Sequence, residues 1–303
     1  MNFRKFPSKI ILFGEYTIIQ GSHALAVPHP LHSGRLRLPH NESTSEAIQS
    51  NGVLKKLATY LDPLVKKESI IIDNETFKRD IQKGLIFDSN IPSGYGLGSS
   101  GALSAAVYQH YSETFPNNLE EIKNQLALIE SFFHGNSSGI DPLVSFCNKA
   151  LFISKHQIEP IDAVITKDSN IRCFLIDSGK ARKTESMLDW YKHEIQDQTF
   201  NTLLVNTLIP SVQLAISALL ENEEEQFFEQ LKIVSTIQLN YFKPMILPEH
   251  IPIWQNGLES NLYTLKLCGA GGGGYMLGFS KSYECIKGLF PFIPLPNLPY
   301  HLN

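Results

Sequence analysis

Residues 94–101 read Gly-Tyr-Gly-Leu-Gly-Ser-Ser-Gly and run straight into Ala102-Leu103-Ser104-Ala105-Ala106, so a glycine loop with a hydroxyl pair opens a stretch of small residues. Without a Cβ, Gly94, Gly96 and Gly98 can take positive φ and turn successive backbone N–H groups toward one anion. A helix starting at Ser99-Ser100 would add its unpaired amides and the positive end of its dipole. The pattern predicts a phosphate cradle with a nucleotide as ligand. Two familiar nucleotide loops fit it poorly. Gly96-x-Gly98-x-x-Gly101 satisfies the dinucleotide fingerprint, as does Gly269-x-Gly271-x-x-Gly274. Yet Pro92 and Ser93 stand between the preceding apolar run and the loop, where a dinucleotide fold has a tight strand-to-helix turn. A Walker loop requires lysine and a hydroxyl residue after Gly101, and Ala102-Leu103 stand there instead.

The chain has 303 residues, of which 43% are hydrophobic and 18% charged, enough for two domains each burying a core. A net charge of −4 without any long basic run argues against nucleic acid as a partner, so a small anionic ligand must be met locally. Cys147, Cys173, Cys268 and Cys285 form no C-x-x-C pair and read as thiols of a reducing compartment. The amino terminus shows no apolar core before a cleavage site, and no apolar run approaches the roughly 18 residues of a membrane span. The expectation is a cytoplasmic protein with a small-molecule substrate and no membrane partner, a homodimer being left open.

Outward from the loop, Lys9–Phe13 and Ala24–Val27 read as paired strands. Loose helical spacing over 46–67 breaks at Asp62-Pro63, and Ile70–Ile72 and Leu85–Phe87 are short strand candidates. Helical spacing covers Gly101–Phe115 and Leu119–Phe133, where Leu119, Ile122, Leu126, Ile129 and Phe133 share a face. A strand at Ala150–Ile153 precedes a change of composition over Gln157–Asp168. This divides the chain into 1–157, a nucleotide-binding domain, and 158–303, a second domain. The latter reads as a strand at Ile171–Ile176, long helices within 186–242, and a strand, glycine loop and strand from Leu265 to Phe279.

Three glycine-bearing segments thus follow in order, Lys9–Gly21, Gly94–Gly101 and Gly269–Gly274, with Glu130 and His134-Gly135-Asn136-Ser137-Ser138-Gly139-Ile140-Asp141 between the last two. This arrangement resembles the GHMP kinases and, within them, the mevalonate kinases, over nearly the whole chain. Lys9-x-Ile11-Leu12-x-Gly14-Glu15 and Gly269-Ala270-Gly271-Gly272-Gly273-Gly274 carry the resemblance with the histidine motif; Asp177-Ser178-Gly179 with Arg182-Lys183-Thr184 adds a smaller match. The resemblance implies a two-domain α+β fold with the active site in the interdomain cleft. It implies ATP-dependent phosphorylation of a small-molecule alcohol, mevalonate to 5-phosphomevalonate, with magnesium.

In that family Ser100 and Glu130 match the residues that hold magnesium, and a hard cation suits such oxygen donors. Asp141 matches the catalytic aspartate that orients or deprotonates the attacking hydroxyl, and Lys9 the lysine that favours the ionised aspartate and offsets phosphate charge. Gly94, Tyr95, Gly96, Leu97, Gly98, Ser99 and Ser100 would cradle the nucleotide with Ser89 nearby; Glu15, Tyr16, Thr184 and Gly271 would face the substrate.

Each residue also has a simpler reading. Asp141 directly before Pro142 is a good helix N-cap with proline at the first helical position. Glu130 would be a solvated helix carboxylate, although it lies beside the apolar stripe. Lys9 would be a surface lysine, His134 carries no assigned role, and the four-glycine run would be a turn. Tyr16 stands where mevalonate kinases usually carry a histidine, Ser8 and Ser137-Ser138 replace glycine and Pro-Ser, and Gly101 replaces a common alanine. Alternatives are a related kinase of phosphomevalonate or a sugar, a dinucleotide-binding oxidoreductase, or a silent nucleotide-binding module.

Overall fold

Strand β1 (Phe6–Phe13) is buried on both faces and pairs antiparallel with β2 (Ala24–Arg37), as the two apolar runs require. The register shifts between Pro7 and Lys9, and the N–H of Lys9 leaves the ladder to donate to the carbonyl of Leu97 at 2.9 Å. A bulge that re-aims one residue is a common device beside a functional site. Here it ties the lysine to the glycine loop. The computed structural model describes residues 3–39, 44–166, 168–181, 184–295 and 298. Arg182 and Lys183 of the smaller sequence match, and the side chain of Thr184, lie outside the described residues.

After β2 come α1 (Ser45–Lys66), α2 (Asn74–Gln82), β3 (Ile86–Ser89), α3 (Ser99–Tyr111), α4 (Leu119–His134), α5 (Ile140–Cys147), β4 (Ala150–Ile153) and β5 (Ile158–Ile161). The five strands form one antiparallel sheet in the order β1-β2-β4-β5, with β3 also on β2. Because β5 pairs with β4, this sheet runs to Ile161, past the division expected at 157/158. Pro63 does not break α1. It lies in the last turn, where one missing N–H costs little against the buried face of Leu54, Leu57, Ala58 and Leu61. Ile70–Ile72 is not a strand. Ile70 and Ile72 are buried and Ile71 exposed, the expected alternation, but the N–H of Ile71 donates to the side chain of Gln125 rather than to a neighbouring strand.

The second half continues with β6 (Arg172–Asp177), α6 (Thr184–Glu194), α7 (Gln198–Leu203), α8 (Ile209–Leu220), α9 (Glu224–Tyr241), α10 (Ile251–Ser260), β7 (Tyr263–Leu267), β8 (Tyr275–Ser280) and β9 (Ile293–Leu295). Its antiparallel sheet has the order β7-β8-β6-β9. Helices α7 and α8 are joined through a widened π turn at Leu204–Leu208, just ahead of Pro210, whose missing N–H leaves a carbonyl of the preceding turn without its α-helical donor. The joined segment Gln198–Leu220 is 23 residues long and its most apolar 18-residue window has a mean hydropathy of 1.8, long and apolar enough by composition to cross a membrane; the sequence expectation of no such run is corrected. Of its most apolar window 44% is buried inside the protein, with α8 packed on α9.

The two halves share one core. Phe13 of β1 lies 6.0 Å from the ring of Phe227 on α9 and 6.0 Å from that of Phe279 on β8.

Helix α3 is buried along almost its whole length, which its run of small residues permits. A Cβ on Gly101 would sit 2.9 Å from the carbonyl carbon of Asp141 and 2.9 Å from the nitrogen of Pro142. Helices α3 and α5 therefore meet almost backbone to backbone. Gly101→Ala should raise helix propensity by about 1 kcal/mol, yet overpack this contact at a cost of about 1–3 kcal/mol. We expect net destabilisation in urea titrations; an equal or greater stability would show that α5 moves freely.

Candidate active site

Segments from both halves converge on a cavity of about 1030 Å³ between them. From the first half come Lys9 on β1, the turn Gly14–Tyr16, the loop Pro92–Ser100, Glu130 and His134 on α4, and Ser137 to Asp141 leading into α5; Leu188, Gly269 and Ala270 come from the second.

The loop takes the conformation that its composition requires: Gly94, Gly96 and Gly98 have φ of 76°, 66° and 74°, and Gly98 precedes the first turn of α3. The Gly98 position packs over the next pair, its would-be Cβ lying 3.2 Å from Cγ of Lys9 and 3.4 Å from Oδ2 of Asp141. The Lys9 ammonium lies 3.1 Å from that Asp141 oxygen. Lys9 is only 5% exposed, so it is no surface lysine. Asp141 is not an N-cap: α5 begins at Ile140 with Gly139 as its cap, and the Asp141 carboxylate turns to Lys9.

Glu130 is 4% exposed, against its reading as a solvated carboxylate. Asn118 caps α4 by accepting from the N–H of Glu121, and from that start Glu130 and His134 fall one turn apart on the same face. The hydroxyl of Ser100 donates to Oε1 of Glu130 at 3.0 Å, and Nε2 of His134 lies 3.0 Å from the same hydroxyl oxygen. Ser137 donates to the other carboxylate oxygen while accepting from the N–H of Gly139 at 2.9 Å. Burial, then the nearby negative charge of Asp141, push Glu130 up to about 7; Ser137, Ser100 and Lys9 act the other way. Two carboxylates and two serine hydroxyls thus face one cavity, a donor set of hard oxygens suited to magnesium, whose charge would relieve the repulsion between Glu130 and Asp141.

Glu15 and Tyr16 line the cavity but are also engaged in holding the halves together. Lys266 on β7 donates to Oε1 of Glu15 and to the carbonyl of Leu267, with both side chains of the ion pair almost wholly buried. Burial raises the pKa of Glu15, opposed by Lys266 and the N–H of Gly269. Tyr16 holds φ at 63°, rare for a residue with a side chain, and donates its hydroxyl to the carbonyl of Ala270. Its ring lies 4.8 Å from that of Tyr191 and 6.0 Å from that of Phe242.

Other expected site residues are placed differently. Ser89 ends β3 opposite Gly34 and accepts from the N–H of Ile91, away from the cavity lining. Tyr95 turns to the second half, edge-on to Tyr275 at 5.2 Å and hydrogen-bonded to Asp177. Leu97, by contrast, lines the cavity with its side chain buried and contributes its carbonyl to Lys9. Gly271 lies against the backbone of Met245, whose carbonyl accepts from Gly272 at 2.6 Å; Gly269 and Ala270 are the cavity-facing part of that run. Thr184 opens α6.

Sequence reasoning named neither Lys266 nor Ser137 as a participant. The signal for Lys266 was a cation inside the apolar run Tyr263–Leu267, which in a buried strand demands an anionic partner.

Residues 63–149 match the family model described as the GHMP kinases N terminal domain. The chain is 28% identical to a mevalonate kinase of Archaeoglobus fulgidus, covering 94% of each. In fold it is similar to L. major mevalonate kinase in complex with R-mevalonate, with a TM-score of 0.67 at 17% identity over 94% of this chain and 89% of that one. The Streptococcus pneumoniae phosphomevalonate kinase gives a TM-score of 0.63 at 15% identity over 95% and 94%.

Two predictions come from the buried charges. Because burial lifts the folded pKa of Glu130 above its ordinary value of 4.5, the native state holds its proton more tightly than the unfolded chain. Stability contributed by this proton is present below pH 4.5 and lost as pH rises to about 7. The loss should reach about 3 kcal/mol. Urea titrations from pH 5 to 8 should show this slope in the wild type and a flatter one in Glu130→Gln; identical slopes would contradict it. Separately, Lys266→Ala should cost about 3–5 kcal/mol by leaving Glu15 buried and unpaired, and adding Glu15→Gln should recover part of it. No recovery in the double variant would show that the pair does not act as a unit.

Proposed function

We propose that this chain, a member of the GHMP kinases and a small-molecule kinase, transfers the terminal phosphoryl group of ATP to the C5 hydroxyl of mevalonate. The observation that carries the reading is the Lys9–Asp141 pair, 3.1 Å apart, lying beside a left-handed glycine loop and the Ser100–Glu130 contact in one cavity.

Phosphoryl transfer asks a protein for positioning and charge neutralisation more than for covalent chemistry. In this reading Asp141 orients the acceptor hydroxyl and takes its proton as the new O–P bond forms and the bond to the departing ADP breaks. Lys9 holds that carboxylate in place at 3.1 Å and offsets negative charge on the transferred group. The loop from Gly94 to Ser99 offers backbone N–H groups to the phosphates at the start of α3. Ser100 and Glu130 would hold magnesium, which when bound neutralises charge on the β- and γ-phosphates.

Several observations favour mevalonate over its rivals. The curated relatives that span most of the chain are named mevalonate kinases, whereas the fold alone is shared with a phosphomevalonate kinase. Among the described lining residues Lys9 is the only lysine or arginine, and it is already paired with Asp141. A phosphorylated acceptor would bring further negative charge without a described cation to meet it. Ile18, Ile19, Ile153 and Leu188 give the cavity an apolar wall suited to a branched aliphatic acceptor. Tyr16 lines the same cavity, its ring 4.8 Å from that of Tyr191 in the second half.

ADP release should be measured with ATP and magnesium against mevalonate, phosphomevalonate, galactose and homoserine. Turnover with mevalonate alone is expected, with Asp141→Asn reducing kcat by about a thousandfold or more while ATP binding persists. Turnover with another acceptor would move the substrate and leave the kinase. ATP bound but never consumed would leave only a nucleotide-binding module.

A further inference from the structure

Three side chains meet at Ser100, and hydrogen-bond arithmetic assigns each its part. A serine hydroxyl has one proton and two lone pairs. The hydroxyl of Ser100 points its proton at Oε1 of Glu130, which accepts it at 3.0 Å. Nε2 of His134, also 3.0 Å from the hydroxyl oxygen, must then carry a proton and donate it. One lone pair of Ser100 is therefore occupied by the imidazole, the proton by the carboxylate, and one lone pair is left over.

We propose that His134 is a positioning residue for the cation site: through its Nε2–H it fixes the rotation of the Ser100 hydroxyl, so that one serine lone pair faces the cavity while Glu130 keeps its hydroxyl donor. The inference rests on the reading of Ser100 and Glu130 as magnesium-holding residues and extends it to a residue that touches neither phosphate nor acceptor in that scheme. Three features of the fold support it. Glu130 and His134 are one turn apart at the end of α4, so both reach the first turn of α3 from the same face. The other oxygen of Glu130 is served in the same way, by a Ser137 hydroxyl that is itself held by the N–H of Gly139. Each serine that donates to the carboxylate thus has its own partner donor, imidazole on one side and backbone amide on the other. His134 is also exposed, so no packing demand explains why its ring lies against Ser100. Groups that orient a ligating side chain are commonly worth about tenfold or more in metal affinity.

The test uses the full chain with manganese as the probe, its binding in the presence of ADP followed by electron paramagnetic resonance, together with the magnesium dependence of ADP release. His134→Gln keeps an N–H donor close to the position of Nε2, whereas His134→Asn offers one only near the position of Nδ1 and cannot reach Ser100. We expect His134→Gln to bind manganese like the wild type, and His134→Asn to bind it about tenfold more weakly, with kcat restored at saturating magnesium. In a Ser100→Ala background the asparagine substitution should cost nothing further. Equal binding by Gln and Asn variants, or a loss of kcat that magnesium does not restore, would overturn the positioning role. Manganese binding that follows the expected order without turnover of any acceptor would support the role and fail the acceptor assignment alone. A wild type that binds no manganese with ADP would overturn the cation site and this role with it. Thermal melting of each variant separates these outcomes from misfolding.

Discussion

At Gly101 a missing methyl group decides how the first half is assembled. With a would-be Cβ 2.9 Å from the backbone of Asp141, α3 and α5 can approach only because that position carries no side chain. Their approach sets Ser100, at the start of one helix, beside Asp141, near the start of the other. The same tight stack leaves α4 to supply Glu130 from the side, and the bulge in β1 brings Lys9 under the loop through its N–H to Leu97. Protein interiors transmit such constraints because they are close-packed, so a shift of α5 would carry the Asp141 carboxylate with it. Positioning of this kind is what phosphoryl transfer draws on.

The charges in the cavity are arranged at a cost to stability. Lys9 and Glu130 are nearly inaccessible to water, and Glu130 is pushed toward the protonated form by burial and by Asp141. Such groups would be cheaper as apolar residues of similar size. Their persistence together in one cavity with a glycine loop is what functional sites look like when strain and repulsion are held in place by surrounding structure. The Glu15–Lys266 pair has a different place in this economy. It fastens the first turn of the chain to the strand before the second glycine run, while Tyr16 fastens to Ala270 and Tyr95 reaches Asp177. Three residues that line or flank the cleft thus also join its two walls.

Much of this was legible in the sequence. The paired strands at the start, the glycine loop, the helices around Glu130 and the closing strand-loop-strand all follow from hydrophobic spacing and from the conformations that only glycine adopts. The site residues were legible only through the order of the motifs. Taken singly, Asp141 before Pro142 reads as a cap and Glu130 as a surface carboxylate, because local spacing carries no information about the burial supplied by a distant helix. Lys266 was missed for the same reason. Its partner lies 251 residues away. Ile70–Ile72 alternates like a strand, but pairing depends on a neighbour that the fold does not provide there. The division of the chain near residue 157 followed a change in composition, whereas strand pairing extends the first sheet to Ile161. Composition reports exposure, and β5, half open to solvent, is polar enough to look like a linker.

The most direct measurement is a double-mutant cycle on Lys9 and Asp141, with single-turnover transfer from ATP followed in Lys9→Met, Asp141→Asn and the double variant. If the two side chains act as one reacting unit, the double variant should be scarcely slower than Asp141→Asn alone, as groups that work together lose their effect together. Fully additive losses would mean that Lys9 and Asp141 contribute independently, and the pair at the centre of this site would then be only an ion pair.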